Sequence, residues 1–134
     1  MPVARYFEDV RIRRFIPLFV WCAVIFAFSE MPGSGLPVEP PLWYVLERKS
    51  AHVFEYAVLA FLSFRFFSVV YPAERFTRVA ILSGAFALAY GALDEFHQSF
   101  VFGRGARLSD VAIDGIGIAI ALAVIYALST RNKR

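Results

Sequence analysis

Four long apolar stretches, Phe15 to Phe28, Ala51 to Val70, Val79 to Phe96 and Val111 to Leu128, dominate a chain of 134 residues and leave it few ways to fold. A helix needs about 20 residues, rising 1.5 Å each, to cross a hydrocarbon layer about 30 Å thick. The first stretch is short and carries Pro17 near its start, but its flanking residues extend it to a marginal crossing. With 59% hydrophobic residues, 17% aromatic residues and a mean hydropathy of +0.59, the chain is too apolar for an ordinary water-soluble domain. The expected fold is all-α, an integral membrane four-helix bundle forming one domain over 1–134.

A cleaved secretory leader is the competing account of the first stretch. Arg11, Arg13 and Arg14 precede it, and Ala27-Phe28-Ser29 loosely fits a small-x-small cleavage site. Either account leaves the remaining topology unchanged. Orientation follows from Lys and Arg, whose excess in short connections marks the cytoplasm. Arg5, Arg11, Arg13 and Arg14, then Arg65, Arg75 and Arg78, then Arg131, Lys133 and Arg134 fall on one side. Both termini are therefore expected in the cytoplasm of a bacterium, with the chain multi-pass in the inner membrane. Arg48, Lys49, Arg104 and Arg107 are left on the outer side, where most of the acids also lie.

The net charge of +3 is explained by this bias, and no nucleic-acid partner is expected. The single cysteine, Cys22, can form no intramolecular disulfide. Between Glu30 and Glu47, Pro32, Gly33, Gly35, Pro37, Pro40 and Pro41 exclude regular helix through most of the connection. It is expected to lie over the bundle as a cap, with Trp43-Tyr44 at headgroup level. Arg65 can snorkel to the inner interface along its aliphatic stem.

Ionisable groups in a spanning helix cost roughly 2.5–3.5 kcal/mol each at its centre, so their positions carry information. Lys49, His52 and Glu55, spaced i, i+3, i+6, cover an arc of about 120° at the outer end of the second helix. Tyr90, Asp94, His97 and Gln98 share an arc of about 100° on the third, with Glu95 turned toward another helix or the interface. Arg104 and Arg107 follow in a connection where Gly103 and Gly105 allow a tight path. Asp110 and Asp114 stand one turn apart on a stripe that continues through Gly117 and Ala121, small residues that permit close helix approach. Asp110 also suits a helix N-terminus; Asp114 lies deeper.

Several chemistries fit this set. One is a structural network in which Lys49, Arg104 and Arg107 pair with Glu55, Asp94, Glu95, Asp110 and Asp114 and lock the helices, leaving function to a partner complex. Acid–base catalysis by His52 or His97 beside Glu55, Asp94 or Glu95 is another. A third is capture of an anionic headgroup by Lys49, Arg104 and Arg107. Asp94 and His97 at i, i+3 resemble the way bundle helices present metal ligands, but a di-metal bundle needs Glu-x-x-His on two helices and a Glu on each of the others. Neither a metal nor another cofactor is expected, and no serine or cysteine stands in a recognisable nucleophile motif.

Lys49-x-x-His52 with Glu55-Tyr56, Asp94-Glu95-x-x-Gln98, Arg104, Ser109-Asp110 and Asp114-x-x-Gly117 form an ordered set spanning 49–117. This set resembles the VanZ-like family of small membrane proteins, named for a protein associated with teicoplanin resistance. The family often has Asn where this chain has Asp114, a change that adds one negative charge to the stripe. The resemblance implies a membrane protein of similar size and span number, with a link to glycopeptide resistance in some members. Membrane lipids, a lipid-linked envelope precursor or a lipid-tailed glycopeptide are the expected partners. The expected ligand-binding set is Lys49, His52, Glu55, Asp94, Glu95, Gln98, Arg104, Arg107, Asp110 and Asp114.

Overall fold

The structure, a computed structural model, describes residues 3–33, 41–105 and 107–131. Four helices account for nearly all of them: α1 (Val3–Ser29), α2 (Leu42–Val70), α3 (Phe76–Gln98) and α4 (Leu108–Arg131). Each is long and apolar enough to cross a membrane, and no strand occurs among the described residues. Lipid offers the backbone no hydrogen bonds, and a helix satisfies its N–H and C=O groups within its own segment. The all-helical architecture expected from the apolar pattern, with four helices long enough to span, is the one observed.

α1 is extended by its flanking residues as expected, whereas the start of α2 differs from expectation. α1 runs straight through Pro17, which leaves the carbonyl of Arg13 without its usual N–H partner. α2 starts at Leu42, well before its apolar stretch, because Pro41 sits just outside the helix with φ −61° and ψ 149° and directs the next residue into it. Trp43, Tyr44 and Glu47 are consequently helical. Of the cap expected over 30–47, residues 42–47 belong to α2 instead, and 34–40 lie outside the described residues.

α1 and α3 run toward one end of the bundle and α2 and α4 run away from it. Phe15 packs on Phe66, Phe64 on Phe76 and Phe76 on Tyr126 at the far end, while Gly33 meets Gly103 at the near end. α2 and α3 each pack against every other helix, whereas α1 and α4 do not touch among the described residues. The cross-section is thus a lozenge with α2 and α3 on its short diagonal. Leu18, Ile25, Tyr56, Leu59, Ala60, Ala87 and Ile118 form the core.

The outward faces are apolar too: Phe19, Ile81, Leu93, Ile120 and Tyr126 are exposed, as surfaces solvated by acyl chains require. Buried Ser63 and Ser83 donate to the carbonyls of Leu59 and Val79, one turn back, so neither hydroxyl is orphaned. Gly117 marks the closest approach of α4 to α2, where a Cβ would lie 2.2 Å from the Val53 carbonyl oxygen. Arg65 is exposed, its guanidinium 5.5 Å from the Phe61 ring centre.

Candidate functional site

The polar residues converge at the end where α1 and α3 finish and α2 and α4 begin. The first turns of α2 bring Tyr44, Arg48, Lys49, His52 and Glu55; the last turns of α3 bring Asp94, Glu95 and Gln98. The α3–α4 connection adds Arg104 and Arg107, and α4 opens with Asp110 and Asp114. The connection is pinned to the end of α1 twice. The Gly33 N–H donates to the Phe102 carbonyl at 3.0 Å, and Arg104 Nη2 donates to the Phe28 carbonyl at 3.0 Å. Gly103 takes φ 74°, a left-handed conformation that glycine adopts without strain.

At the centre, His52 Nδ1 lies 3.0 Å from Asp114 Oδ1, with the His52 side chain 12% exposed and that of Asp114 1% exposed. Among the described residues, buried Asp114 Oδ2 has no partner, nor has the hydroxyl of fully enclosed Tyr56. Both border Gly91, where an added Cβ would sit 3.0 Å from Asp114 Oδ2 and 3.1 Å from Tyr56 Cε1. Gln98 Nε2 donates to Asp94 Oδ2 at 2.8 Å within the buried layer. Glu95 reaches the α3–α4 connection, its Oε2 accepting the Arg107 backbone N–H at 3.0 Å.

The network of cations against carboxylates is not formed. Among the described residues the ion pairs join His52 to Asp114, Arg78 to Glu74 and His97 to Glu30; none joins Lys49, Arg104 or Arg107 to an acid. Buried acids are held instead by imidazole, amide and backbone N–H donors; Lys49 and Arg107 are exposed, and the half-buried Arg104 guanidinium is anchored to the Phe28 carbonyl. The arc of Tyr90, Asp94, His97 and Gln98 also divides. Asp94 and Gln98 face inward, but Tyr90 donates to the Cys22 carbonyl and His97 sits against Phe26 and Glu30, all on or beside α1. An arc that wide borders two neighbours, and α1 captures one side of it.

Two cavities open at this end. One, of about 130 Å³, lies between α2, the α3–α4 connection and α4. Arg48, Lys49, Arg104 and Arg107 line it with Tyr44 and His52, and Asp110 is its one carboxylate. The other, of about 260 Å³, lies toward α1 and mixes Ile25, Phe28 and Met31 with Ser29, Glu55, Asp94 and Gln98. Arg48, His52 and Arg104 line both and so form the wall between them. Burial lowers the Arg104 guanidinium from its ordinary value. The Arg48 charge adds to that, and Asp94, Tyr44 and Glu55 oppose it; an arginine remains a cation throughout.

Tyr44, Arg48 and Ser29 are polar lining residues outside the expected ligand-binding set. Arg48 stands one turn before His52 on the same helix face, a signal present in the sequence. Ser29 ends α1, and its buried hydroxyl has no partner among the described residues. No three His, Cys, Asp or Glu side chains converge as ligands among the described residues.

The VanZ/LLP1 family model matches residues 12–129. The chain belongs to the VanZ/LLP1 family. Comparison with curated proteins and with solved structures gives no match. The VanZ/LLP1 match extends beyond 49–117 into α1 and almost to the end of α4, so it takes in all four helices and both cavities. In this VanZ/LLP1 protein the chemistry available at the cavity end is cationic capture beside a histidine held by a carboxylate.

Proposed function

We propose that this VanZ/LLP1 protein recognises the anionic headgroup of an amphipathic cell-envelope molecule at the outer leaflet of the bacterial inner membrane. The observation that carries this reading is the smaller cavity, where four cations and one carboxylate surround a space open at the bundle end. Guanidinium groups suit bidentate contact with phosphate or carboxylate, and among the described residues no ion pair occupies those of the cavity. The exposed apolar flanks of the same end, Leu42, Trp43, Phe102 and Leu108, lie where acyl chains of a seated lipid would run. Placement of this end outside rests on the Lys and Arg excess at the other end. An anionic lipid or lipid-linked precursor fits this chemistry, and a lipid-tailed glycopeptide such as teicoplanin shares its amphipathic form. Binding of the latter would provide a role in resistance.

Native mass spectrometry of gently extracted protein tests the reading. Lys49→Ala/Arg107→Ala removes two exposed cations that make no ion pair among the described residues, so the fold should persist. Wild type is expected to retain a specific anionic lipid or lipid-linked precursor and the double variant to lose it. Folded wild type that carries no anionic lipid, and acquires none when titrated with one, overturns the reading.

A further inference from the structure

We propose that the cavity is a catalytic site for hydrolysis of a lipid-borne phosphate ester or diphosphate, with His52 Nε2 as the base that activates water. This rests on the headgroup reading above and adds a reaction to it. Asp114 engages Nδ1 at 3.0 Å, so the ring is held by one nitrogen and presents the other. Nε2 has no hydrogen-bond partner among the described residues and is not among the enclosed orphan atoms, while the His52 side chain borders both cavities. A buried carboxylate on Nδ1 fixes the tautomer that leaves a lone pair on Nε2, and it stabilises the imidazolium formed when that lone pair takes a proton. Arg48, Lys49, Arg104 and Arg107 around the same space would hold the phosphoryl oxygens and offset the charge that grows on them.

In the step, Nε2 removes a proton from water as the water oxygen bonds to phosphorus. The bond from phosphorus to the leaving oxygen breaks, that oxygen keeps the electron pair, and the proton on Nε2 passes to it. Water is the sole co-reactant. The products are the phosphate and the tailed alcohol, or the tailed monophosphate when the substrate is a diphosphate. The dyad also explains a use for Asp114 that a neutral amide would serve less well, since an amide cannot compensate an imidazolium.

The test uses the purified full chain in detergent micelles with dioctanoyl phosphatidic acid, farnesyl diphosphate and the water-soluble p-nitrophenyl phosphate, following release of inorganic phosphate. Wild type is expected to act on at least one tailed substrate and to prefer it to p-nitrophenyl phosphate. His52→Gln should lower kcat at least about 100-fold while KM changes little, the loss of a general base rather than of a binding contact. The wild-type rate should fall toward acid pH as Nε2 loses its lone pair, and that limb should be missing from the residual activity of His52→Gln. Should His52→Gln fail to fold, Asp114→Asn, which keeps the side-chain shape, is expected to show the same loss of kcat. Wild type that binds dioctanoyl phosphatidic acid but releases no phosphate overturns the catalytic proposal and leaves headgroup recognition standing. Absence of both binding and release overturns both. Undiminished activity in the folded variants, or preference for p-nitrophenyl phosphate, also overturns it.

Discussion

Tyr56 is fully enclosed, stacks beside His52 and has a hydroxyl with no partner. A buried unsatisfied hydroxyl costs about 1–3 kcal/mol, so Tyr56→Phe is expected to leave the melting temperature unchanged or raise it. A lowered value in thermal unfolding would show that water or ligand meets this hydroxyl. Trp21 behaves oppositely, because its indole N–H donates to the Glu55 carbonyl at 2.9 Å. Trp21→Phe should cost about 1 kcal/mol, read from the same melts. At this scale the sequence was informative about which residues gather. Helical spacing put Lys49, His52 and Glu55 on one face, and depth put Asp94, Asp110 and Asp114 near them. Spacing could not say which donor each acid takes, because that depends on how far one helix has turned about its axis relative to the next. A few ångströms decide that Asp114 meets imidazole while Glu95 meets a backbone N–H.

Between elements, Gly117 lets α4 lie against the backbone of α2, and His52 and Asp114 are carried by those two helices. A Cβ at 117 would stand 2.2 Å from the Val53 oxygen, an atom that cannot swing aside. Gly117→Leu is therefore expected to destabilise the bundle by about 3 kcal/mol, at the upper end of overpacking costs, and to weaken anionic-lipid binding in the same preparation. Gly115 is the control on the same helix: nothing lies within 4 Å of its Cβ position. Gly115→Ala should add roughly 0.5–1 kcal/mol through the reduced backbone freedom of alanine, with binding unchanged. The small-residue stripe through Gly117 and Ala121 announced this contact in the sequence. The early start of α2 was harder to read, since the proline and glycine residues before it advertise irregular backbone and only Pro41 marks where helix resumes.

For the whole molecule, the charge distribution makes a topological prediction. In a Cys22→Ser background, Ser109→Cys should react with a membrane-impermeant maleimide from outside intact spheroplasts, and Thr77→Cys only after permeabilisation; both positions are exposed and lie at opposite ends. The reverse pattern would put the cationic cavity in the cytoplasm. Four spans were legible because hydrophobic length is a local property. The lozenge was not, since which helices share the short diagonal depends on side-chain volumes summed over the bundle. The junction of Gly33 with Gly103 illustrates this nonlocality: an added Cβ at Gly33 would fall 1.8 Å from the Gly103 oxygen. In evolutionary terms this contact predicts that the two positions are inherited as one unit. A lineage that enlarges residue 33 must reroute the backbone at 103, so among homologues sharing this junction the pair should change together or not at all.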